Sequence, residues 1–418
     1  MQTQQLDVHE QPSDDAALAD TAISRLRQLS MKLAMAQLDI EVFDAMQPLE
    51  DDWRALERDN LQSLHQSYDW CAAWVSAFQR PLAILKGAHA GQTAFILPVE
   101  IVKSRGLRTA RFIAADHSNI NTGLFAESFA EAGRTIDPHE FAGRLRHALT
   151  GRADLLLLQN IPLEWRGRES PLAGLPMVQN QNHAYQLPFL PAFEDTLKQL
   201  NAKNRRKKFR VQSKRFEAAG GFEYVIPETS AEQHGLLDIF FRLKSARFAS
   251  LGLPDVFADR ETQTFLHGLI DKQDDTRQYF GLQMHMLRLK GEHEGKIAAT
   301  SGISRKGDHI ICQFGAIDEE LVPDTSPGEF LYWQTISGLH GKGVALFDFG
   351  LGDQTYKRSW APVETAHYDV VLPVSPFGVV AGAAHRLVTR GKAHIKARPK
   401  LYKFAQGIRA RIGRSSKN

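Results

Sequence analysis

The chain has 418 residues, of which 43% are apolar, and it carries a formal net charge of +3 at pH 7. This length and composition allow a substantial buried core and favour two or three domains over one. Its two cysteines, Cys71 and Cys312, stand in apolar stretches, which argues against a disulfide framework and favours a reducing compartment. Because the sequence shows neither a secretory leader nor a run of about eighteen apolar residues, we expect a cytoplasmic protein without a membrane span.

The first quarter of the chain predicts an irregular start followed by helices. We expect residues 1–37 to be disordered or loosely helical, and the first strand to begin at Leu38. Two helices follow between residues 51 and 78, and Ser67 is the predicted cap of the second. One side of this second helix carries an apolar stripe that is typical of a core, formed by Trp70, Trp74 and Phe78.

Short strands separated by turn signals come next. We predict strands over 82–87, 93–102 and 108–113, a helix over 138–149 and a strand over 154–159. The loop 115–123 is dense in hydrogen-bonding side chains, a composition typical of Asx turns.

A strongly basic helix is predicted near the middle of the chain. Residues 201–215 include eight basic residues and no acidic one. At helical spacing, one face carries Lys203, Lys207, Arg210 and Lys214. Such a face could steer a polyanionic donor, either the phosphates of coenzyme A or a tRNA acceptor stem, or it could be a plain solvated surface. Aromatic residues suited to base stacking are scarce in this segment, which argues against nucleic acid.

The second half predicts a long helix over 231–251, a helix over 260–272, and strands over 279–289, 296–304 and 309–316. A further helix is predicted from Ser326 to about His340. Ser326 is a candidate cap, Pro327 suits the first helical position, and Glu329 completes a capping box. Because a helix start carries partial positive charge and unpaired N–H groups, this one could hold a pyrophosphate.

The stretch 344–360 has the composition of a site. An apolar strand is predicted from Val344 to Phe347 and through Phe349, and Gly350 and Gly352 then allow a close approach of the backbone to a ligand. Polar side chains are expected at the carboxyl end of this strand, where open sheets place their chemistry. These side chains are Asp348, Asp353 and an exposed pair, Tyr356 and Lys357. Val370–Leu372 is expected to be the last strand.

The carboxyl-terminal part of the chain differs from the rest in its charge. Beyond Asp369 there is no acidic residue, while eleven Lys and Arg lie between Arg386 and Lys417. Subtracting these eleven from 51 leaves 40 basic residues against 48 acidic ones, a body of about −8. Such a tract could attach to anionic lipid or nucleic acid, with about 1 kcal/mol per basic group near a charged membrane, or remain a solvated, partly helical tail. A modest apolar stripe within it could form an interfacial helix: Ile395, Leu401, Phe404 and Ile408.

Taken together, these motifs resemble a known family. The order Phe314-Gly315, Ser326-Pro327-Gly328, Phe347-Asp348-Phe349-Gly350-x-Gly352-Asp353 and Tyr356-Lys357 looks like the BioF2-like (CelD-type) acetyltransferase domain of the GNAT superfamily, related to the FemAB aminoacyl transferases. The likeness is strongest over 197–371. It implies an α/β (α+β) fold with two GNAT-like lobes, each a mixed, mostly antiparallel sheet flanked by helices. The implied boundaries are 38–190 and 191–376 for the lobes and 377–418 for the basic tail.

This resemblance implies an N-acyltransferase that moves an acyl group directly from acyl-CoA, such as acetyl-CoA, to an amine or sugar amine, in envelope or exopolysaccharide metabolism. The Gln/Arg-x-x-Gly-x-Gly/Ala loop of ordinary GNAT enzymes does not precede Ser326 here. The donor therefore stays open between acyl-CoA and aminoacyl-tRNA. A non-catalytic partner of a polysaccharide apparatus, anchored by its tail, is a further alternative.

Each candidate residue has an expected role. Asp353 or Asp348 could take the proton of the amine, Lys357 could stabilise the developing oxyanion, and Tyr356 could protonate the leaving group. The expected donor-binding residues are Gly315, Ser326, Gly328, Gly350 and Gly352. The expected substrate-binding residues are Arg247, Lys244, Arg206, His117 and Asn121. No nucleophile signature or metal-ligand spacing is present, so direct transfer without a metal is expected.

Overall fold

The protein is represented by a computed structural model that describes residues 38–58, 62–89, 91–132, 137–318, 320–322, 324–396 and 398. The expected N-terminal segment 1–37 lies outside these residues. So do three members of the predicted tail stripe, namely Leu401, Phe404 and Ile408.

Helices and strands are mixed along the whole described chain. The helices are α1 Glu50–Leu56, α2 Tyr68–Phe78, α3 Glu127–Ala132, α4 Pro138–Leu149, α5 Phe193–Lys198, α6 Ala202–Ala218, α7 Ser230–Leu251, α8 Arg260–Ile270, α9 Pro327–Leu339, α10 Thr355–Trp360 and α11 Pro376–Lys396. The strands are β1 Leu38–Phe43, β2 Ile84–His89, β3 Gln92–Leu97, β4 Val99–Ser104, β5 Leu107–Phe112, β6 Leu124–Phe125, β7 Leu155–Pro162, β8 Glu164–Trp165, β9 Arg168–Glu169, β10 Met177–Pro188, β11 Phe222–Val225, β12 Tyr279–Leu289, β13 Ile297–Lys306, β14 His309–Ile317, β15 Leu346–Leu351 and β16 Val363–Pro373.

The central element of the fold is a ten-stranded mixed sheet, with the strand order β11-β12-β13-β14-β15-β10-β16-β7-β5-β4. A smaller sheet has the order β1-β2-β3-β6. In the large sheet, β5 pairs with β7 and β14 with β15 in parallel, while the other neighbours are antiparallel. The predicted fold class, mixed and mostly antiparallel sheets flanked by helices, is confirmed.

The two halves of the large sheet repeat one connection and exchange one strand. The order β4-β5-α4-β7 in the first half is matched by β13-β14-α9-β15 in the second, an antiparallel hairpin followed by a helix and a parallel strand. β10 ends the first half but pairs with β15, and β16 ends the second half but pairs with β7. Because β10 and β16 also pair with each other, one continuous sheet joins the two lobes. The exact lobe boundaries stay a prediction.

Aromatic side chains pack helix α2 of the first lobe against helix α8 of the second. Trp70 and Trp74 are buried, as the apolar stripe predicted, and both meet Phe265 of α8 edge-on, with ring centroids 5.2 and 5.1 Å apart. Phe78 stacks on Trp74 at 3.8 Å. These rings come from opposite halves of the chain, so their large apolar surface fixes how α2 and α8 meet.

Two strand predictions are wrong in detail. The strand expected over 93–102 is two strands, β3 and β4, because Pro98 interrupts the pairing and the chain passes from the small sheet to the large one. β10, twelve residues long, was not predicted. Within the part of the chain that the structure describes, no helix is both long and apolar enough to cross a membrane.

Candidate active site

A gap opens in the large sheet where β14 and β15 separate. Their parallel pairing covers only His309–Ile311 against Leu346–Asp348. Immediately afterwards β14 carries a bulge, since Cys312 pairs with Ile303 and Phe314 with Gly302, which leaves Gln313 as an extra residue. A bulge bends its strand, so the rest of β14 turns away from β15 and the edge that faces the gap is free for a ligand.

We call the cavity beside this gap the donor cleft. It has a volume of about 700 Å³. It is lined by Leu243, Lys244, Arg247, Thr300, Ser301, Gly315, Ala316, Ile317, Val322, Asp324, Ser326, Pro327, Gly328, Glu329, Leu331, Tyr332, Gln354 and Tyr356. Three predicted donor-binding residues, two predicted substrate-binding residues and one predicted catalytic residue thus meet in one place.

The first turn of α9 faces the donor cleft without a side-chain cap. The predicted capping box is wrong: Ser326 makes no side-chain hydrogen bond to the helix and has a left-handed backbone, with φ of 51°, whereas a capping residue is usually extended. Glu329 instead forms an ion pair with Arg205 at 3.4 Å and a second one with Lys208. The amides of Gly328 and Glu329 therefore lie at the positive end of the helix dipole beside the cleft, an arrangement that favours a bound anion.

Two stacked tyrosines stand where the cleft approaches the strands. Tyr332 of α9 and Tyr356 of α10 have ring centroids 5.4 Å apart and planes at 15°. Burial, with a smaller contribution from the Cys312 thiol, raises the pKa of Tyr356 to about 12. Burial also raises the pKa of Tyr332 well above its usual value. Both hydroxyl groups therefore keep their protons at neutral pH, and Tyr356 is available as a proton donor.

Ser301 was not predicted, yet its side chain is the buried polar group of the cleft that lacks a hydrogen-bond partner among the described residues. Its side chain is buried, and its Oγ has no hydrogen-bond partner among the described residues. Neighbouring Thr300, by contrast, donates to the carbonyl of His285 at 3.0 Å. A buried hydroxyl without a partner is costly, so a ligand that enters the cleft gains a hydrogen bond here. The sequence signal was the small polar run Thr300-Ser301-Gly302 in the strand beside Gly315.

Lys357 is buried, and the prediction that it is exposed is wrong. Only 6% of the residue is accessible, and its Nζ donates to the carbonyl of Leu351 at 2.5 Å. Burial lowers its pKa, and the nearby Cys312 and Asp348 offset part of that effect. The amine thus lies behind the gap, where it holds the end of β15, and it is not part of the lining of the donor cleft.

The two predicted carboxylate bases also lie away from the donor cleft. Asp348 is fully buried within β15, where it accepts hydrogen bonds from Gln186 Nε2 at 2.8 Å and from the amide of Gly350 at 2.6 Å. Burial raises its pKa, but His309 and these hydrogen bonds lower it more, so the group is held as a carboxylate. Asp353 accepts from the hydroxyl of Tyr185 at 3.0 Å and pairs with Arg358, on the wall of a second cavity.

Gly350 and Gly352 shape the turn after β15 and do not line the cleft. Both have left-handed backbones, with φ of 68° and 117°. A Cβ at Gly350 would come within 2.8 Å of the Asn119 side chain, and one at Gly352 within 2.7 Å of Gln354 Oε1. The close approach predicted for these glycines is thus made to the protein itself, and it carries Gln354 into the cleft wall.

A larger cavity lies between the lobes, and we call it the interlobe cavity. Its volume is about 960 Å³. The lining includes Trp70, Trp74, Phe78, Arg80, Asp116, His117, Asn119, Phe257, Asp259, Glu261, Gln313, Phe314 and Leu351. Burial lowers the pKa of His117. Phe314 lines this cavity and the next residue, Gly315, lines the donor cleft, so the bulged part of β14 is a wall between the two.

The remaining predicted substrate contacts are not brought into either cavity. Asn121 is buried and donates to the carbonyl of Gln159 at 2.8 Å. Arg206 forms an ion pair with Glu194 on the flank of α6. The described residues contain no group of three or more His, Cys, Asp or Glu side chains that could hold a metal ion.

The basic helix α6 borders the donor cleft. Gln212 donates to the carbonyl of Ser326 at 3.4 Å, and Arg215 donates to the carbonyl of Asp324. The four residues of the predicted basic face are exposed on the outer side of the same helix: Lys203, Lys207, Arg210 and Lys214. At 3.6 residues per turn this basic face lies opposite Gln212, so it points away from the start of α9 and the donor cleft.

Comparisons with known proteins show what the chain and its fold are similar to. Residues 203–358 match the family described as the acetyltransferase (GNAT) domain. The crystal structure of FemX is similar, with a TM-score of 0.53 and 12% identity over 78% of this chain and 96% of that one. The C-terminal domain of a candidate lysylphosphatidylglycerol synthetase from Agrobacterium fabrum has a TM-score of 0.50 and 14% identity over 83% and 96% of the two chains.

A conserved protein of unknown function from Bacteroides thetaiotaomicron is also similar, with a TM-score of 0.51 and 11% identity over 80% of this chain and all of that one. No curated protein matches the sequence. At these identities the structural likeness shows the fold alone, and the match over 203–358 covers α6 to α10 and hence the donor cleft. Residues 203–358 are therefore similar to a GNAT acetyltransferase domain, and the fold as a whole is similar to that of FemX.

Proposed function

We propose that this protein is an N-acyltransferase that moves an acyl group from acyl-CoA to an amine by direct transfer. The observation that carries this proposal is the donor cleft itself. Two parallel strands separate beside the uncapped start of α9, and Tyr356 stands in the wall with its proton held. No other described cavity combines an anion-binding helix start with a free strand edge and a proton donor.

The residues present fit a coenzyme A thioester. The amides of Gly328 and Glu329 suit the pyrophosphate, because a helix start favours negative charge. The free edge of β14 beyond Ile311 suits the amides of pantetheine, which would continue the strand pairing that β15 abandons. The buried hydroxyl of Ser301 offers one further hydrogen bond. Arg247 and Lys244 add positive charge to the same lining.

In the reaction, the amine nitrogen attacks the thioester carbonyl, a C–N bond forms and the C–S bond breaks. Tyr356 donates its proton to the departing thiolate, and the proton of the amine passes to water in the open cavity. Lys357 acts from behind the gap. Its Nζ donates to the carbonyl of Leu351, and its positive charge favours negative charge that develops in the gap. Asp348 and Asp353 would act as bases only through water, because neither lines the donor cleft.

The interlobe cavity is the proposed site of the acceptor. It shares the wall of β14 with the donor cleft, so a nitrogen that reaches the gap from this side meets the thioester. Aromatic rings and three carboxylates, Asp116, Asp259 and Glu261, suit an acceptor with an apolar body and a positive amine. A sugar amine of an envelope or exopolysaccharide pathway belongs to this class, and the resemblance to the CelD type supports it.

An aminoacyl-tRNA donor is the second candidate, and one observation favours it. The exposed lysines and arginine of α6 form a positive outer face on the helix that borders the donor cleft, and such a face suits the phosphates of a tRNA. A non-catalytic partner of a polysaccharide apparatus is the third candidate, and the unsatisfied Ser301 hydroxyl in a cleft of this size counts against it.

The test is a mass-spectrometric transfer assay on the purified full chain. Acetyl-CoA or a mixture of aminoacyl-tRNAs is supplied together with glucosamine, lysine and a diamine. We expect free CoA and acetylated amine in equal amounts, with Tyr356→Phe as the inactive control. Transfer from aminoacyl-tRNA alone would establish the second candidate, and absence of both turnover and CoA binding would overturn the proposal.

A further inference from the structure

Helix α11 presents its apolar side chains to solvent. Phe377 is 77% exposed, Val380 71%, Leu387 74% and Val388 52%. At 3.6 residues per turn these four positions, together with Ile395, fall within one stripe about 100° wide along the helix. We call this the α11 stripe. A helix normally packs such a stripe against its own core, so its exposure needs an explanation.

The opposite face of α11, which packs on the sheet, is made of small and polar residues. Gly378, Gly382 and Thr389 are buried there, and a Cβ at Gly378 would stand 1.7 Å from the carbonyl oxygen of Asp154. His385 Nε2 lies 3.0 Å from Asp369 Oδ2, and the helix contacts β7, β10 and β16. Docking on the sheet thus depends on close backbone approach and polar contacts. The large apolar residues of α11 take no part in this packing and stay exposed.

Charge decides what can cover the α11 stripe. Helical geometry places the exposed Arg390 on one flank of the stripe and the exposed Lys392 on the other. From Val370 to the end of the sequence there is no Asp or Glu to neutralise them. A second copy of the helix would bring two sets of like charges together. An anionic bilayer has an apolar interior and a negative surface. Its interior would accept the apolar side chains of the stripe, and its headgroups would accept the basic side chains on either flank.

We propose that the α11 stripe lies flat on an anionic lipid bilayer. The helix is about 30 Å long and lies along the surface, with its apolar side chains in the interface and its basic side chains among the headgroups. The carboxyl end of α11 contacts the turn that leads to Gln354 and the donor cleft, since Lys396 Nζ is 3.5 Å from Asp353 Oδ2. Bound in this way, the protein holds its cleft at the membrane surface. The inference does not depend on the acyl-transfer proposal.

Vesicle co-sedimentation of the full chain tests this. Vesicles of pure phosphatidylcholine are compared with equimolar phosphatidylcholine and phosphatidylglycerol, at low and high salt. We expect binding to the anionic vesicles only, weakened by salt. The double variant Val380→Ser, Leu387→Ser should bind at least about tenfold more weakly, because it removes apolar area from the interface. Val379→Ser is the matched control, since Val379 is 57% exposed but lies off the stripe.

Circular dichroism and thermal unfolding check that both variants are folded, and their exposed positions predict that they are. Three results would overturn the proposal. Wild-type protein that ignores anionic vesicles is the first. A double variant that binds as wild type does would assign the attachment to basic residues alone. A wild-type dimer that the double variant dissociates, without vesicle binding by either protein, would assign the stripe to a second copy of the chain.

Discussion

A single charge placed at the start of α9 tests how the donor is held. Gly328→Asp adds a carboxylate at the anion site, and Gly328→Asn has the same shape without the charge. Both side chains meet the same neighbour, because a Cβ at Gly328 would stand 3.0 Å from Ile317 Cγ2. The difference between the two variants therefore isolates the electrostatic effect on binding of coenzyme A.

The expected size follows from Coulomb's law. Two unit charges about 5 Å apart repel by roughly 3.3 kcal/mol at an effective dielectric constant of about 20, and by roughly 0.8 kcal/mol in bulk water. The Kd of coenzyme A should thus be about 4-fold to about 250-fold higher for Gly328→Asp than for Gly328→Asn. Because the cleft is partly open, the ratio should shrink as salt is added.

Isothermal titration calorimetry with coenzyme A and with pantetheine measures this difference. Pantetheine lacks the phosphates, so the two variants should bind it equally. Unfolding cannot mimic the result, because an acidic residue in the first turn stabilises a helix by about 0.3–1 kcal/mol. Gly328→Asp should therefore unfold at a temperature no lower than Gly328→Asn. Equal affinities of the two variants for coenzyme A would refute a phosphate at this helix start.

Variants at Tyr356, Lys357 and Gly378 probe the site and its supports. Tyr356→Phe should lower kcat by about 10² to 10⁴-fold with little change in acetyl-CoA affinity, since it removes only the proton donor. Because the pKa of Tyr356 is about 12, the wild-type rate should not fall between pH 8 and 10 through ionisation of this tyrosine. Lys357→Ala should lower the free energy of unfolding by about 1–3 kcal/mol, because it leaves the Leu351 carbonyl without its donor; a change below about 0.5 kcal/mol in urea unfolding would contradict the burial of this lysine. Burial lowers the pKa of Lys357, so the folded state loses this proton at lower pH than the unfolded chain does. The free energy of unfolding should therefore rise as the pH increases from the pKa in the folded state to the usual value of about 10.4. Lys357→Met should remove that rise. Gly378→Ala should lower the melting temperature, whereas Gly391→Ala, which meets nothing within 4 Å, should not; equal effects would contradict the close packing of α11 on Asp154.

Sequence reasoning found the elements whose signals are local. The helix expected from 326 to about 340 is α9, because Pro327 at its start and Gly341 after its end are readable without knowledge of the fold. Four of the residues that were singled out lie around one gap for the same reason, since strand, helix and strand follow one another along the chain: Gly315, Ser326, Gly328 and Tyr356. Tyr356 and Gly315 meet in the donor cleft as a consequence.

What sequence reasoning missed depends on partners distant in sequence. β10 contains the polar run Gln179-Asn-Gln-Asn-His183, which does not read as a central strand, but Asn180 bonds to Asp369 at 3.0 Å and Gln186 to Asp348 at 2.8 Å. Lys357 reads as a surface residue until the carbonyl of Leu351 is known to accept from it. The outward apolar face of α11 was hidden for the opposite reason, because apolar residues at helical spacing normally predict a buried side.

The most direct test of the central claim is a crystal structure of the full chain with acetyl-CoA. The account predicts the pyrophosphate at the amides of Gly328 and Glu329, pantetheine along the free edge of β14, and the sulfur within hydrogen-bonding reach of the Tyr356 hydroxyl. A donor cleft that stays empty at saturating acetyl-CoA, or a thioester bound with its sulfur away from Tyr356, would contradict it.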